Sequence, residues 1–189
     1  MFDFPSHDHD SAPEGSKPLI ESSQKAFGRL PGLHKVLAES PQAYEGYQVL
    51  HKLFTETEFD AEELTVVWQS INVENECHYC VPAHTGIARN MKVSDEITEA
   101  LRNETPLPTP KLEALRRFTV QMLRSRGNVT EAQMQAFFDA GYGHRAVLDV
   151  ILGMAQKTIS NYVNHVAETP VDKVFEPLKW SRGDKPLDV

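Results

Sequence analysis

The informative stretch of the chain is Glu74-Asn-Glu-Cys-His-Tyr-Cys-Val-Pro-Ala-His84, which holds both of its cysteines. Proline is tolerated inside a helix only in the first turn, so Pro82 predicts that a helix begins near residues 79–81. Cys80 would then lie at the N-terminus of that helix, and Cys77 would lie just before it. The stretch therefore predicts one thiol at a helix start with a second thiol beside it.

The residue types at these positions suit reversible thiol chemistry. A helix N-terminus carries partial positive charge and free N–H groups, which favour a thiolate at Cys80. His84, one turn later on the same face, would accept a proton or stabilise the anion. Cys77 would attack a sulfenic acid or mixed disulfide on Cys80, so the pair would cycle between dithiol and disulfide. Glu74 and Glu76 would either assist His84 or oppose the thiolate, depending on geometry.

Two other interpretations of this stretch stay open. In the first, Cys77, Cys80 and His84 bind zinc with His78 as a fourth ligand, although structural zinc sites usually take their second ligand pair from a distant segment. In the second, the cysteines and the histidine are ordinary core residues without chemistry. A CxxC pair followed by xxxH, in a chain with no other cysteine, favours the redox interpretation over both.

The rest of the chain is helical in pattern from about residue 42. Apolar residues recur at helical spacing in two segments before the motif, at Ala43, Tyr47, Leu50 and Phe54, and at Leu64, Val67, Trp68 and Ile71. After the motif, Thr109 with Pro110 predicts the start of one helix and Gly127 its end. A capping box of Thr130 and Gln133 predicts the start of the next helix, which ends at Gly141. A long last helix is predicted over about 144–166. No stretch alternates apolar and polar residues between turn dipeptides. The sequence therefore predicts an all-α fold.

Three parts of the chain are distinguished by composition. Residues 1–20, rich in Pro, Ser, Asp and His, predict a poorly ordered N-terminal arm. Residues 21–169 form the expected single helical domain, with its core motif at 62–91. Residues 170–189 form a polar C-terminal tail, for which docking on a neighbour is expected.

Composition also excludes several classes of function. The chain has 189 residues and a net charge of −8, which argues against a nucleic-acid partner. No apolar run approaches the ~20 residues of a membrane span, so no membrane partner is expected. The N-terminus is acidic and lacks the features of a secretory signal. The expected location is the cytoplasm, where thiols are kept reduced.

The segment Val73-Glu-Asn-Glu-Cys-His-Tyr-Cys-Val-Pro-Ala-His84, extended by Thr85 and Gly86, resembles a known motif. It is similar to the ExxCxxCxxxH pattern in the peroxidase-type branch of the carboxymuconolactone decarboxylase / alkylhydroperoxidase AhpD-like family. Helices expected before and after it, at 62–71 and 82–90, are placed as in that family. A looser helical resemblance covers about residues 40–168.

The resemblance implies an AhpD-like helical bundle that assembles into a homo-oligomer, a trimer or a hexamer. It implies a thiol-dependent hydroperoxide reductase in which Cys80 is the peroxidatic nucleophile, Cys77 the resolving thiol and His84 the base. It implies no metal, flavin or nucleotide cofactor, and an external dithiol reductant such as a lipoyl- or thioredoxin-type protein. Family members that act as lactone decarboxylases generally lack the cysteine pair, so that activity is not implied.

Two positions depart from the family pattern. A relay glutamate commonly lies about twelve residues before the first cysteine, where this chain has Thr65. Glu63 would point away from that position by roughly 200° on a helix, so Glu74 is the expected replacement in the relay. Tyr79 stands where the family's best-studied type has a histidine. Late in the chain, His165 would lie either near the dithiol or at a subunit boundary.

Two functional alternatives to peroxidase turnover remain. One is a redox sensor or a zinc-stabilised interaction module built on the same cysteines. The other is a decarboxylase or isomerase that uses His84 and Glu74 without the thiols.

Overall fold

The computed structural model describes residues 4–183, and every regular element in that range is helical. The α-helices are α1 (Lys17–Phe27), α2 (Gly32–Leu37), α3 (Pro41–Thr55), α4 (Ala61–Glu74), α5 (Cys80–Asn90), α6 (Asp95–Arg102), α7 (Pro110–Ser125), α8 (Glu131–Asp139) and α9 (His144–Val166). Two short 3-10 helices span Glu14–Ser16 and Lys173–Leu178. The predicted all-α class and single domain are confirmed. Among these helices, none is long and apolar enough to cross a bilayer.

The helix ends follow local capping chemistry. The hydroxyl of Thr109 accepts the N–H of Leu112 and is followed by Pro110, as the sequence predicts for the start of α7. Thr130 and Gln133 form the predicted capping box of α8. A second capping box that the sequence analysis did not identify, Asp60 with Glu63, starts α4. These caps satisfy N–H groups that a helix start leaves without partners.

Helix α4 lies at the centre of the fold and packs against α5, α6, α7 and α9. Every residue from Glu63 to Val73 is buried, so the helix is enclosed on all sides. One apolar cluster surrounds it, with Phe54, Trp68, Ile71, Leu115 and Phe118 among its most buried members. Gly153 brings α9 close to this cluster, because a Cβ there would lie 2.8 Å from the ring of Phe54 and 3.0 Å from Val67.

A second apolar cluster lies where α1, α2 and α3 meet the start of α5. Its buried members include Ile20, Leu33, Leu37, Tyr44, Cys77, Tyr79 and Cys80. The two thiols are therefore part of an apolar interior, and the amino-terminal helices form one of its walls.

The described part of the N-terminal segment differs from the predicted poorly ordered arm. Helix α1 begins at Lys17, so the expected boundary at residue 20 falls inside a helix. Ile20 is fully buried, and the hydroxyl of Ser16 donates a hydrogen bond of 2.7 Å to Ala38 O. Pro18 stands in the first turn of α1, where proline suits a helix rather than disorder. Residues 1–3 lie outside the described range.

The last helix has the predicted length, but its buried face is polar from Gln156 onward. Apolar residues that recur along it are exposed at Ile151, Tyr162 and Val166. The buried face carries Gln156, Lys157, Ser160, Asn161 and Asn164. This arrangement brings polar side chains of α9 to the two cysteines.

Candidate active site

The dithiol lies where α5 begins. Helix α5 starts at Cys80, within the predicted range, and Pro82 stands in its first turn. Glu76 adopts a left-handed conformation (φ 53°) in the turn after α4, which carries the chain round to Cys77. The backbone N–H of Cys80 donates a hydrogen bond to Cys77 Sγ at 3.2 Å. Both thiols are free, and both are enclosed, with 0% of Cys77 and 2% of Cys80 exposed.

The surroundings of Cys80 favour its thiolate. Burial by itself would raise the pKa of this thiol, but several groups act in the opposite direction. The hydrogen bond from Cys77, the charge of Lys157 and the side-chain amides of Asn164 and Asn161 together lower the pKa of Cys80 to about 6. Asn164 Nδ2 donates to Cys80 Sγ at 3.2 Å.

Cys77 is shifted in the opposite direction. Its hydrogen bond to Cys80 raises the pKa of the Cys77 thiol, and burial adds to that rise. The pair therefore shares one proton, which Cys77 keeps while Cys80 is ionised. The roles predicted for Cys80 as nucleophile and Cys77 as resolving thiol stay predictions, and they require an asymmetry in this direction.

A network of buried amides holds three helices together around Cys80. Asn161 Nδ2 of α9 donates to Asn72 Oδ1 of α4 at 3.0 Å, and Asn72 Nδ2 donates to Gln69 Oε1 at 3.0 Å. Gln69 Nε2 in turn donates to Val81 O in the first turn of α5 at 3.1 Å. Buried amides with several satisfied partners fix geometry more firmly than apolar contacts do. The network thus sets the position of the helix start that carries Cys80.

His84 lies one turn after Cys80, as predicted, and is buried against the ring of Trp68 at a centroid distance of 4.9 Å. Its Nε2 is 2.9 Å from Nζ of Lys157, and its Nδ1 has no hydrogen-bond partner. Burial lowers the pKa of His84 well below its usual value, and the charge of Lys157 lowers it further. His84 is therefore neutral, and its partner is a lysine rather than a carboxylate.

Lys157 is the group that sequence reasoning missed. It is 1% exposed and comes from α9, far along the chain from the motif. The only sequence signal is that Lys157 shares a polar helix face with Gln156, Ser160, Asn161 and Asn164. A polar face on an amphipathic helix ordinarily points to water, so the pattern alone predicts exposure.

The structure does not bring Glu74 to His84, which corrects the relay role predicted for this carboxylate. Glu74 Oε1 accepts from Arg124 Nε at 2.7 Å, and Oε2 accepts from Arg182 Nη2 at 3.2 Å. Position 65 offers no substitute, because the hydroxyl of Thr65 donates to Ala61 O. Glu74 stands at the last turn of α4, where two guanidinium groups take up its charge.

The zinc interpretation gains no supporting cluster in the structure. Within residues 4–183, no group of three or more His, Cys, Asp or Glu side chains is arranged to hold a metal ion. His78, the expected fourth ligand, has its Nε2 3.0 Å from Thr169 O. The exposed His165 stacks on His78 at a centroid distance of 6.5 Å, so it lies beside the motif rather than at the thiols.

Residues 169–182, named here the C-terminal strap, cross the outer side of α5. This part of the predicted polar tail docks on its own chain, and residues 184–189 lie outside the described range. Asp172 anchors the strap: its carboxylate accepts from the Tyr79 hydroxyl at 2.8 Å, from Arg29 Nη1 at 2.7 Å and from the Gly32 N–H at 3.1 Å. Tyr79, the residue directly before Cys80, is thus hydrogen-bonded to the strap.

Phe175 is the apolar contact of the strap with the site. Its ring packs on the cluster that contains Cys77 and Cys80, and it lies against Gly86 of α5. Further along, Trp180 Nε1 donates to Arg102 O at 2.8 Å. The strap and the amino-terminal helices together close the dithiol off from solvent.

Gly86→Ala is expected to loosen the strap and to speed alkylation of the thiols in the folded protein. A Cβ at this position would collide with the Phe175 ring. Overpacking of this kind costs about 1–3 kcal/mol, and a cost of that size raises the population of opened molecules by a factor of roughly 5 to 150. The measurement is the rate of maleimide labelling, followed by mass spectrometry.

Gly46→Ala is the matched control, because a Cβ on this α3 glycine would meet no heavy atom within 4 Å. Both changes improve helix propensity, so a difference between them reports the contact with Phe175. Equal labelling rates in the two variants would contradict a covering role for the strap.

Solved structures share this fold. The chain is similar to the AhpD core of an uncharacterized peroxidase-related protein from Ralstonia eutropha JMP134, with a TM-score of 0.80, 19% identity, and coverage of 91% of this chain and 93% of that chain. A peroxidase-related protein from Silicibacter sp. TM1040 aligns with a TM-score of 0.77, 18% identity and 92% of each chain covered. The debrominase Bmp8, solved with 2,3,4-tribromopyrrole, aligns with a TM-score of 0.76, 15% identity, and coverage of 92% of this chain and 94% of that chain.

No family model and no curated protein matches the chain. The structural matches cover nearly all of the chain at identities below one fifth, so what they show is the fold. The AhpD-like helical bundle implied by the sequence motif is confirmed.

Proposed function

We propose that this chain, which has the AhpD-type fold, is a thiol-dependent hydroperoxide reductase that cycles Cys77 and Cys80 between dithiol and disulfide. One observation carries the proposal: a buried Cys80 is surrounded by groups that stabilise its thiolate, while the adjacent Cys77 retains its proton. The similarity of the fold to peroxidase-related proteins supports the same class of chemistry.

The first step is attack by the Cys80 thiolate on the terminal oxygen of the hydroperoxide. A new S–O bond forms as the O–O bond breaks, so Cys80 becomes a sulfenic acid and the peroxide is reduced to an alkoxide. The alkoxide takes a proton from the site and leaves as the alcohol, or as water when the substrate is hydrogen peroxide. Ionisation of Cys80 near neutral pH supplies the nucleophile that this step needs.

The second step uses Cys77. Its sulfur attacks the sulfenic sulfur of Cys80, the S–S bond forms, and the departing hydroxide combines with the Cys77 proton to give water. An external dithiol then reduces the disulfide and is itself oxidised to a disulfide. A lipoyl- or thioredoxin-type protein is the proposed class of reductant, and the enclosed dithiol requires the strap to move for that exchange.

The test is a count of free thiols before and after one equivalent of an organic hydroperoxide, combined with mass spectrometry. The expected result is loss of both thiols and of two hydrogens in mass, fully reversed by a dithiol. Two untouched thiols would contradict the proposal. Bound stoichiometric zinc, with stability lost to a chelator, would favour the interaction module, and activity in a cysteine-free variant would favour a decarboxylase or isomerase.

A second candidate, reductive dehalogenation of an aromatic substrate, is favoured by one local feature. The rings of Tyr47, His51 and Trp68 stack in sequence and end against His84, which gives the site an aromatic wall. In such a reaction the dithiol would supply two electrons, so that a C–Br bond is replaced by C–H while the thiols become a disulfide and bromide is released. The solved structure of a debrominase with this fold supports that comparison, and bromide release from a brominated pyrrole in the same thiol assay distinguishes the two substrates.

Assembly into a trimer or hexamer stays a prediction, as does the cytoplasmic location. The surface that would suit self-association is an apolar stripe on α9 with the adjoining face of α3. Its exposed members are Leu148, Ile151, Tyr162 and Val166 on α9 and Val49 and Leu53 on α3. Exposed apolar patches of this kind mark interaction surfaces.

A further inference from the structure

Lys157 is a buried amine without a carboxylate partner among residues 4–183. It is 1% exposed, and its hydrogen bond leads to a neutral imidazole, His84. A charged amine in an apolar interior is costly unless an anion compensates it. The dithiol lies beside this amine, because His84 follows Cys80 by one turn of α5 and Asn164, on the same buried face of α9, donates to Cys80 Sγ at 3.2 Å. The anion that can compensate Lys157 is therefore the Cys80 thiolate, and each of the two charges favours the other against the effect of burial.

Other titratable groups line the interior that holds Lys157 and the dithiol. Helix α3 contributes Tyr47 and His51, α2 contributes His34, and α5 contributes His84, with Cys77 just before it. Burial lowers the pKa of all three histidines, to about 3 for His34 and about 4 for His51. Burial also raises the pKa of Tyr47. All four side chains are therefore uncharged near pH 7. The nearest ion pair on the strap side, Asp172 with Arg29, lies beyond Tyr79 and His34 and is already matched in charge.

His84 links Lys157 to a second hydrogen-bond donor in the site, the Nδ1–H of its own ring. A lysine ammonium only donates hydrogen bonds, so Nε2 of His84 accepts and Nδ1 carries the imidazole hydrogen. That Nδ1–H is buried and has no partner in the described structure. Gln156 Nε2 and Asn164 Oδ1, also on the buried face of α9, likewise lack partners. Buried polar atoms without partners are rare in proteins and need an explanation. For the Nδ1–H of His84, the explanation that fits its place one turn after Cys80 is donation to a reacting group.

We propose that Lys157 is the ionic partner of the Cys80 thiolate and the source of the proton for the leaving oxygen, which it delivers through His84. The proposal deepens the hydroperoxide reductase function, and only its proton-delivery step rests on that function. It assigns to an α9 lysine the work that the sequence pattern assigned to Glu74.

The proton balance closes over the cycle. As thiolate attack breaks the O–O bond, Nδ1–H of His84 protonates the alkoxide, and Nε2 of His84 takes a proton from the ammonium of Lys157. The site then holds Cys80–SOH, the alcohol and a neutral amine in place of thiolate, hydroperoxide and ammonium. When the external dithiol later reduces the disulfide, the proton released as Cys80 ionises is taken up at Nδ1 of His84, and the hydrogen on Nε2 of His84 returns to the Lys157 amine, which restores the starting tautomer and the ammonium.

The test is the pH dependence of alkylation by iodoacetamide in Lys157→Met, with the exposed Lys52→Met as control. The Cys77→Ser background reports Cys80 alone, and no hydroperoxide is needed. In the control, alkylation should increase as pH rises through the Cys80 midpoint. In Lys157→Met this midpoint should move up by about one to three pH units, since the positive charge that favours the thiolate has been removed. An unchanged midpoint would overturn the proposal.

A thermodynamic cycle covers the case in which the lysine variant is poorly folded. Lys157→Met leaves the buried thiolate without its cation, so adding Cys80→Ser should recover stability, and the two changes should be strongly non-additive in unfolding experiments. Additive effects would overturn the ionic pairing. The variant His84→Asn tests the proton-delivery step separately. It should lower hydroperoxide turnover without a comparable shift of the alkylation midpoint.

These measurements separate failure of the inference from failure of the proposed function. If the wild-type protein does not reduce hydroperoxides but its alkylation midpoint depends on Lys157, the ion pair is supported and the peroxidase function is rejected. If the wild-type protein reduces hydroperoxides but the midpoint of Cys80 alkylation does not depend on Lys157, the peroxidase function is supported and the ion pair is rejected.

Discussion

Cys80→Ser should lower the rate of hydroperoxide turnover by roughly a thousandfold or more, as removal of the nucleophile does in other enzymes. A serine hydroxyl is not ionised at the pH where the Cys80 thiolate forms, and oxygen cannot follow the sulfenic acid route. The measurement is hydroperoxide consumption with a dithiol reductant. Appreciable residual turnover in this variant would contradict Cys80 as the nucleophile.

Cys77→Ser is the informative companion, because it separates the two steps. With no added reductant, the Cys80 thiolate should still consume one equivalent of hydroperoxide and should then stop as a sulfenic acid, seen as a gain of one oxygen in mass. The first step should also be slower at low pH, since the Cys77 hydrogen bond that lowers the pKa of Cys80 is lost. Immediate disulfide formation is excluded in this variant, so failure to trap an oxidised Cys80 would argue against the two-step cycle.

Phe54→Ala should lower the free energy of unfolding by about 3–5 kcal/mol. Phe54 is fully buried, and its ring packs on Phe59 and Trp68 at centroid distances of 6.2 and 5.2 Å. It also lies directly under Gly153, one turn before Lys157 on α9. A cavity here removes packing from both the core and the helix that supplies the lysine.

Chemical denaturation measures this loss, and Lys52→Ala on the same helix is the control. Lys52 is exposed, so its truncation should change the free energy of unfolding by about 0.5 kcal/mol or less. A loss below about 1 kcal/mol for Phe54→Ala would mean that the site collapses around the smaller side chain. Such a small loss would contradict the close packing of α9 on α3.

The motif and the helix ends could be predicted from the sequence because they depend on residues close to one another along the chain. Pro82 restricts where α5 begins, and that start determines the spacing of Cys77, Cys80 and His84. The caps at Thr109 and Thr130 are equally local. Segment 4–20 was not accessible in this way, since its order comes from burial of residues such as Ile20 against helices that follow it.

Sequence alone determined that the chain is all-helical and that it carries a CxxC pair with a histidine one helical turn later. Only the tertiary structure decided which groups act on that pair. It directed Glu74 to Arg124 and Arg182, and it enclosed Lys157 of α9 beside His84 and Asn164 beside Cys80. The physical reason is that the ionisation of a thiol depends on burial and on charges a few ångströms away. Those distances are set by helix packing between residues more than seventy positions apart, which no local pattern encodes.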